Sequence, residues 1–414
     1  MTKTYQRTRI ACYIGYIVQA VIANLPPLLF IIFQKNYGIS NARLGTLVLL
    51  CFVTQIVVDL LSGLFAEKLG IRACILTADV SAALGLAALS ILPRVMTGAP
   101  FLALVIPTVL YSIGAGFIEV IISPVIESLP SSGKAASMSL LHSFYCWGQV
   151  LTILLSTVFF LTIGQRLWYL LPLFWAVVPS VNFFLFLRAP LLPIPGDEKS
   201  GSMRAIFSSR ILLLCFLVMV CSGASELAMA QWASFYAEKA LGVSKTVGDL
   251  AGPCLFAVLM GLTRAFGGKL SDRWDFTGVL AASAGLCVVC YLLAVFSPLP
   301  VFSLLGCAFT GMSIALMWPT TLSLAAVRYP GGGTRMFALL AVFGDIGCSL
   351  GPWLTGFLSD RVLEIPGFTA RFSSIPADEL GLRAGLLAGV LFPAVMLICL
   401  ACIRRMKPNV HPKN

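Results

Sequence analysis

The chain of 414 residues is 59% hydrophobic and 11% charged, where a soluble domain carries about 25% charge. A mean hydropathy of +0.95 cannot be packed inside one water-soluble core, which excludes a soluble enzyme, a disordered chain and a disulfide-stapled secreted domain. The excess of 28 basic over 17 acidic residues comes without a basic, aromatic-laced patch. It points to an oriented membrane protein with the lipid bilayer as partner and no nucleic acid.

Apolar runs of about 18 residues or more suit helices that cross hydrocarbon, and twelve of them follow in order. The first, α1, spans 10–33 and carries Tyr13, Tyr16, Gln19 and Asn24. Next come α2 at 44–65, α3 at 73–92 and α4 at 101–123. Then α5 spans 136–162 and α6 168–187. A Pro-, Ser- and charge-rich stretch from Arg188 to Arg210 follows and reads as a linker. Beyond it lie α7 at 211–236, α8 at 250–268, α9 at 278–297, α10 at 300–327, α11 at 335–359 and α12 at 382–403. The expected domains are therefore residues 1–188, a cytoplasmic linker at 189–210 and residues 211–414. With both termini cytoplasmic, Lys and Arg number 19 on the cytoplasmic side and 9 on the other, which favours that orientation. There is no Asn-x-Ser/Thr sequon, and the loops are short; both fit a bacterial inner membrane. The thirteen cysteines sit mostly in apolar runs without metal-ligand spacing, as small hydrophobes do.

The halves repeat. Gly63-x-x-x-Glu67-Lys68-x-Gly70 after α2 is echoed 205 residues later by Gly268-x-x-x-Asp272-Arg273-x-Asp275. Gly116 and Pro124 in α4 share the spacing of Gly311 and Pro319 in α10, at an offset of 195. Leu140-Leu141-x-x-Phe144-x-x-x-Gly148 in α5 matches Leu339-Leu340-x-x-Phe343-x-x-x-Gly347 in α11, at an offset of 199. Parallel six-helix repeats imply a rocking transporter with a midplane site between halves.

On these motifs the chain resembles the major facilitator superfamily over its whole length. The resemblance implies an all-α fold of two six-helix bundles, usually acting as a monomer. It also implies a conformational latch in which Glu67 and Asp272 hold adjacent helices, with Gly63, Lys68, Arg72, Gly268 and Arg273 around them. Asp59 and Asp79 are assigned to the same network. Within the superfamily the chain is similar to the fucose/glucose/galactose–proton symporter branch. Gly114-Ala-Gly116-Phe-Ile-Glu119 through Ser123-Pro124 in α4 and Leu140-Leu141-His142-Ser143-Phe144 in α5 carry that similarity. In α1, Pro27 stands where the branch can carry an Asp.

Ionisable groups inside spans are costly and so are functional candidates. Ser112, Gly116, Glu119, Ser123 and Glu127 recur at helical spacing, making one polar stripe on α4. Glu119 is the leading candidate for proton coupling or substrate binding. Glu226 in α7 shares a stripe with Ser222 and Met229, and Gln231 and Trp232 follow at once. Two roles are open to His142, a proton relay or a satisfied core histidine. Asp345 in the Gly-rich α11 is open to proton coupling or to a structural hydrogen bond, with close helix packing expected at Gly344, Gly347 and Gly351. Gln19, Asn24, Glu119, Glu226, Gln231, Trp232 and Trp318 make up the expected substrate contacts, although the tryptophans also suit packing or interface anchoring. Prolines within spans (Pro26, Pro27, Pro107, Pro124, Pro319, Pro352) can act as kinks.

Neither a phosphate loop nor a nucleophile–base arrangement is visible, so no enzyme activity, cofactor or metal is expected. The energy source is then a gradient, in which one proton across 100 mV carries about 2.3 kcal/mol. The expected function is proton-coupled symport of a sugar or similar small polar solute, with sodium as the other possible coupling ion. The rival on the same fold is a proton-coupled antiporter exporting amphipathic compounds, which suits the 28 Phe residues. A non-transporting membrane receptor is a further alternative.

Overall fold

A computed structural model describes residues 5–130, 134–192, 203–271, 275–329, 333–366 and 375–406. Within these, the side chains of 62–69, 127, 134–139, 203, 265–271 and 333–334 lie outside the described set. The described residues form helices and no strand. Twelve helices are long and apolar enough to cross a membrane.

The chain divides into two compact units, residues 1–195 and 196–414. The first holds α1 (Gln6–Leu28, resuming as Phe30–Tyr37), α2 (Asn41–Leu69), α3 (Ile71–Val95), α4 (Pro100–Ser128), α5 (Lys134–Thr162) and α6 (Leu170–Leu187). The second opens with a short helix, Met203–Ser208, inside the stretch expected as linker. It continues with α7 (Arg210–Lys239), α8 (Lys245–Asp249, a π turn at Leu250–Cys254, then Leu255–Ser271) and α9 (Phe276–Phe296). Next come α10 (Pro300–Ile314 and Met317–Arg328), α11 (Gly333–Arg361) and α12 (Ala377–Ala388 and Leu391–Arg405).

Each unit packs by the same scheme. In the first, α3 lies on α4 and α6, α1 on α5, and α2 on α4. In the second, α9 lies on α10 and α12, α7 on α11, and α8 on α10. Helix n in one unit has the neighbours of helix n+6 in the other, so the sequence repeat is a structural repeat.

The repeated glycines show why. A Cβ at Gly116 would lie 2.8 Å from Val58 Cβ of α2, and one at Gly311 would lie 2.2 Å from the Phe256 carbonyl of α8. At Gly148 it would lie 2.8 Å from Ala20 Cβ of α1, and at Gly347 2.0 Å from the Val220 carbonyl of α7. Only a residue without a side chain permits these approaches, and close backbone contact is how membrane helices gain packing energy.

Four helices depart from the unbroken spans expected from sequence. The first, α1, breaks at Leu29 just after Pro26 and Pro27, which lack the N–H that a helix needs. In α8 the start is at Lys245 rather than 250, because Ser244 Oγ accepts the Val247 N–H as a cap and a buried Lys245–Asp249 ion pair at 3.0 Å neutralises both charges. The interruption in α10 lies at Ala315–Leu316, four residues before Pro319. The last helix, α12, is interrupted at Gly389–Val390, where a Cβ on Gly389 would lie 2.5 Å from the Tyr291 ring.

Candidate functional site

In the first unit, polar side chains from four helices converge. Gln19 Nε2 of α1 donates to Glu119 Oε2 of α4 at 3.1 Å. One turn along, the Tyr16 hydroxyl and Ser123 Oγ share a 2.8 Å hydrogen bond between the same helices. The Asp59 carboxyl of α2 lies within 4.8 Å of the Glu119 carboxyl. From α5, the His142 ring meets the Tyr16 ring edge-on at 5.2 Å, and Phe144 stacks on Tyr13 at 4.4 Å. His142 is exposed, and Gln19 and Glu119 are half-buried. Two carboxylates no more than 4.8 Å apart repel by about 3.5 kcal/mol or more at an effective dielectric of about 20. Paired carboxyls of this kind share protons rather than both carrying charge.

The structure thus gathers Gln19, Glu119 and His142 around Tyr16. Asn24 is placed differently: it is buried, and its Nδ2 donates to the Ala20 carbonyl of its own helix at 2.8 Å. Asp59 and Asp79, assigned from sequence to the loop network after α2, have partners inside the bundle. Asp59 sits by Glu119, while Asp79 accepts from Asn182 Nδ2 of α6 at 3.1 Å. The reason lies in register. Asp59 sits one turn before the Gly63–Gly70 motif, and Asp79 two turns after Arg72, each turned into the bundle rather than toward the loop.

Of the latch residues, the side chains of Gly63, Glu67, Lys68 and Gly268, and the whole of Asp272 and Arg273, lie outside the described residues. Arg72 is described. Its guanidinium donates to the Phe186, Leu187 and Ala189 carbonyls at 2.7, 2.8 and 2.7 Å. These carbonyls lie at and just beyond the end of α6, where the helical ladder runs out and only Phe186 keeps a backbone partner, the Ala189 N–H at 3.3 Å, and a cation there suits the helix dipole. Thr8 of α1 reaches the same end, donating to the Pro190 carbonyl at 2.7 Å.

In the second unit, Glu226 on α7 is buried and pairs with Arg264 of α8 at 3.7 Å. Arg264 Nε also donates to the Ala315 carbonyl of α10 at 3.2 Å. Pro319 explains that bond, since residue 319 would normally supply the N–H for Ala315, and proline has none. Sequence reading missed Arg264, although the proline four residues beyond Ala315 signals a carbonyl in need of a donor. Gln231 is buried, and Trp232 is fully buried with its indole N–H donated to the Pro352 carbonyl of α11 at 3.0 Å. Trp318 is half-buried against α11, where a Cβ on Gly344 would lie 2.2 Å from its ring. Asp345 is buried on α11.

A second polar cluster, also missed, closes the α7–α8 hairpin. Ser234, Lys245 and Asp249 are all buried, with Ser234 Oγ and Lys245 Nζ both donating to Asp249 Oδ1.

Comparison with known proteins agrees with this architecture. An uncharacterized transporter of Sinorhizobium fredii (strain NBRC 101917 / NGR234), y4wD, is 22% identical over 325 residues, covering 78% of this chain and 84% of that protein. Among solved structures, a D-xylose–proton symporter superposes with a TM-score of 0.77 at 14% identity, covering 100% of both chains. A bacterial homolog of the human lysosomal transporter Spinster, inward-facing and occupied, gives 0.75 at 15% identity, again over 100% of both. The E. coli fucose:proton symporter, FucP, gives 0.64 at 18% identity, covering 98% of this chain and 100% of that one. These likenesses show the fold. Residues 12–352 match the Major Facilitator Superfamily, and the chain, a multi-pass membrane transporter with twelve apolar helices, belongs to that family.

Proposed function

We propose that the protein is a proton-coupled symporter of a sugar or similar small polar solute, working by alternating access. The observation that carries this reading is the Glu119 carboxyl on α4, held by Gln19 and within 4.8 Å of the Asp59 carboxyl. A carboxyl pair inside an apolar unit loads and releases a proton with a change of net charge, which is what coupling needs. Tyr16, Ser123 and His142 supply a polar surround for that proton. The names of two structural neighbours, a D-xylose–proton symporter and a fucose:proton symporter, support the solute class. In this reading Gln19, Glu119, Glu226, Gln231 and Trp318 contact the solute, Asn24 and Trp232, bonded to the Ala20 and Pro352 carbonyls, support the helices that carry those contacts, and Glu226, His142 and Asp345 assist proton movement. Gly63, Glu67, Lys68, Arg72, Gly268, Asp272 and Arg273 steady one conformation.

The 19-to-9 bias of Lys and Arg supports cytoplasmic termini in a bacterial inner membrane, and the family supports a monomer. Flux in proteoliposomes tests the function. An imposed inward pH gradient drives accumulation of a labelled sugar, an equal sodium gradient does not, and Glu119→Gln removes the gradient effect. Accumulation driven by sodium alone, or proton-driven extrusion of amphipathic dyes in place of sugar uptake, overturns the symport reading.

A further inference from the structure

Asp79 of α3, expected from sequence in the latch network, meets Asn182 of α6 inside the first unit instead. Their relative exposures are 1% and 0%. Asn182 Nδ2 donates to Asp79 Oδ1, which leaves Asp79 Oδ2 and Asn182 Oδ1 without hydrogen-bond partners. The surroundings are tight. A Cβ on Gly15 of α1 would lie 3.7 Å from Asn182 Nδ2 and 2.2 Å from Ile122 Cδ1. A Cβ on Gly114 of α4 would lie 2.6 Å from the carbonyl of Ala78, next to Asp79.

An ionised Asp79 would have one hydrogen bond and no ion pair among the described residues. Arg72, two turns earlier on the same helix, is engaged with the carbonyls at the end of α6. A buried charge in that state is strongly unfavourable, and the orphaned Asn182 oxygen adds a penalty of its own. One proton removes both problems. Placed on Asp79 Oδ2, it cancels the charge and turns the orphaned acceptor into a donor, while Asn182 Oδ1 is the acceptor without a donor. A metal cation at the same two oxygens would need several more oxygen ligands.

We propose that Asp79 is a resident proton site: its carboxyl stays protonated on Oδ2 and forms a two-bond acid–amide ring with Asn182 that clasps α3 to α6. Its proton does not cycle. That last clause rests on the assignment of coupling to Glu119 and Asp59; the ring itself does not.

Infrared difference spectra of the full-length protein in liposomes test it, as wild type minus D79N. The expected result is loss of a deuterium-sensitive, protonated-carboxyl stretch, which N182L shifts to higher frequency by removing its hydrogen-bond partner. Asparagine at position 79 forms the same ring with Asn182. D79N therefore keeps the thermal midpoint and the gradient-driven flux, whereas D79A loses thermal stability. Loss of ionised-carboxylate bands in D79N overturns the proposal. So does a sodium-dependent rise in thermal midpoint that D79N abolishes, and so does D79N flux that no longer responds to the pH gradient. Wild-type protein without any gradient-driven flux would overturn the symport reading instead, and leaves the infrared result standing.

Discussion

Gln19 on α1 holds Glu119 on α4 through a single amide hydrogen bond of 3.1 Å. A hydrogen bond to a charged group contributes about 1.5–3 kcal/mol, and 1.4 kcal/mol is about tenfold in an equilibrium. Gln19→Leu is expected to slow gradient-driven uptake by about tenfold or more. Counterflow, which needs no net proton movement, falls less. Glu119→Gln abolishes uptake against a gradient but retains counterflow. Accumulation by Glu119→Gln at the wild-type level would remove Glu119 from coupling.

Arg72 closes the end of α6 with three charge-assisted hydrogen bonds. Arg72→Ala takes away all three of these bonds and is expected to cost about 2 kcal/mol. Arg72→Lys recovers only part of this, because an ammonium cannot reproduce the planar fork. Thermal unfolding read by a thiol-reactive dye measures it, since twelve of the thirteen cysteines are buried.

The Glu226–Arg264 pair predicts non-additive substitutions. Either Glu226→Gln or Arg264→Gln alone leaves one charge in an apolar unit without its 3.7 Å partner. Removing both charges together is expected to cost less than the two losses added, with a coupling of about 1 kcal/mol or more. Arg264→Gln is the harsher single change, because the Ala315 carbonyl also loses its donor. Thermal midpoints of the four proteins give the cycle; strict additivity would mean that the pair is not energetically coupled.

Asp275 caps the start of α9. The Thr277 hydroxyl and then the Gly278 N–H hold its carboxyl below the ordinary carboxylate range. Its folded value is thus depressed. The stabilisation is present above the unfolded value near 3.9 and is lost as pH falls through the folded one. Asp275→Ala is expected to lower stability by about 1 kcal/mol near neutral pH. The melting curves of wild type and variant approach one another below about pH 4, and a constant gap down to pH 2 would contradict the cap's ionic character.

Gly347→Ala puts a methyl 2.0 Å from the Val220 carbonyl. Helices α7 and α11 must then separate, at an expected cost of about 1–3 kcal/mol. A comparison with Gly285→Ala, where nothing lies within 4 Å of the added Cβ, isolates the packing effect. Equal melting of the two variants would show that the approach is not tight.

The architecture was readable because it depends on long apolar runs and on small residues at fixed spacing. Gly116, Gly148, Gly311 and Gly347 identified the repeat in sequence and serve as its helix contacts in space. Close packing expected at Gly344, Gly347 and Gly351 is present, with α11 against Trp318, Val220 and Ala224. Partnerships were much harder to read. Asn182 sits in an apolar run with no sign that its partner is Asp79, on another helix. Arg264 was missed, although Pro319 frees the carbonyl that it meets. The interruption of α12 depends on Tyr291 occupying the space beside Gly389, a contact that no local pattern encodes.

The second unit is mechanically uneven. Both α7 and α11 run without a break, locked by glycine contacts and by the Trp232–Pro352 hydrogen bond. Three other helices each contain one irregular turn, at Leu250–Cys254, Ala315–Leu316 and Gly389–Val390. Bending concentrates where the regular hydrogen-bond ladder is interrupted, so α7 and α11 form a stiff spine and the compliance lies in α8, α10 and α12. Arg264, carried by α8 and bonded to the break in α10, acts as a pin between two of those joints, which must flex together or shear it out.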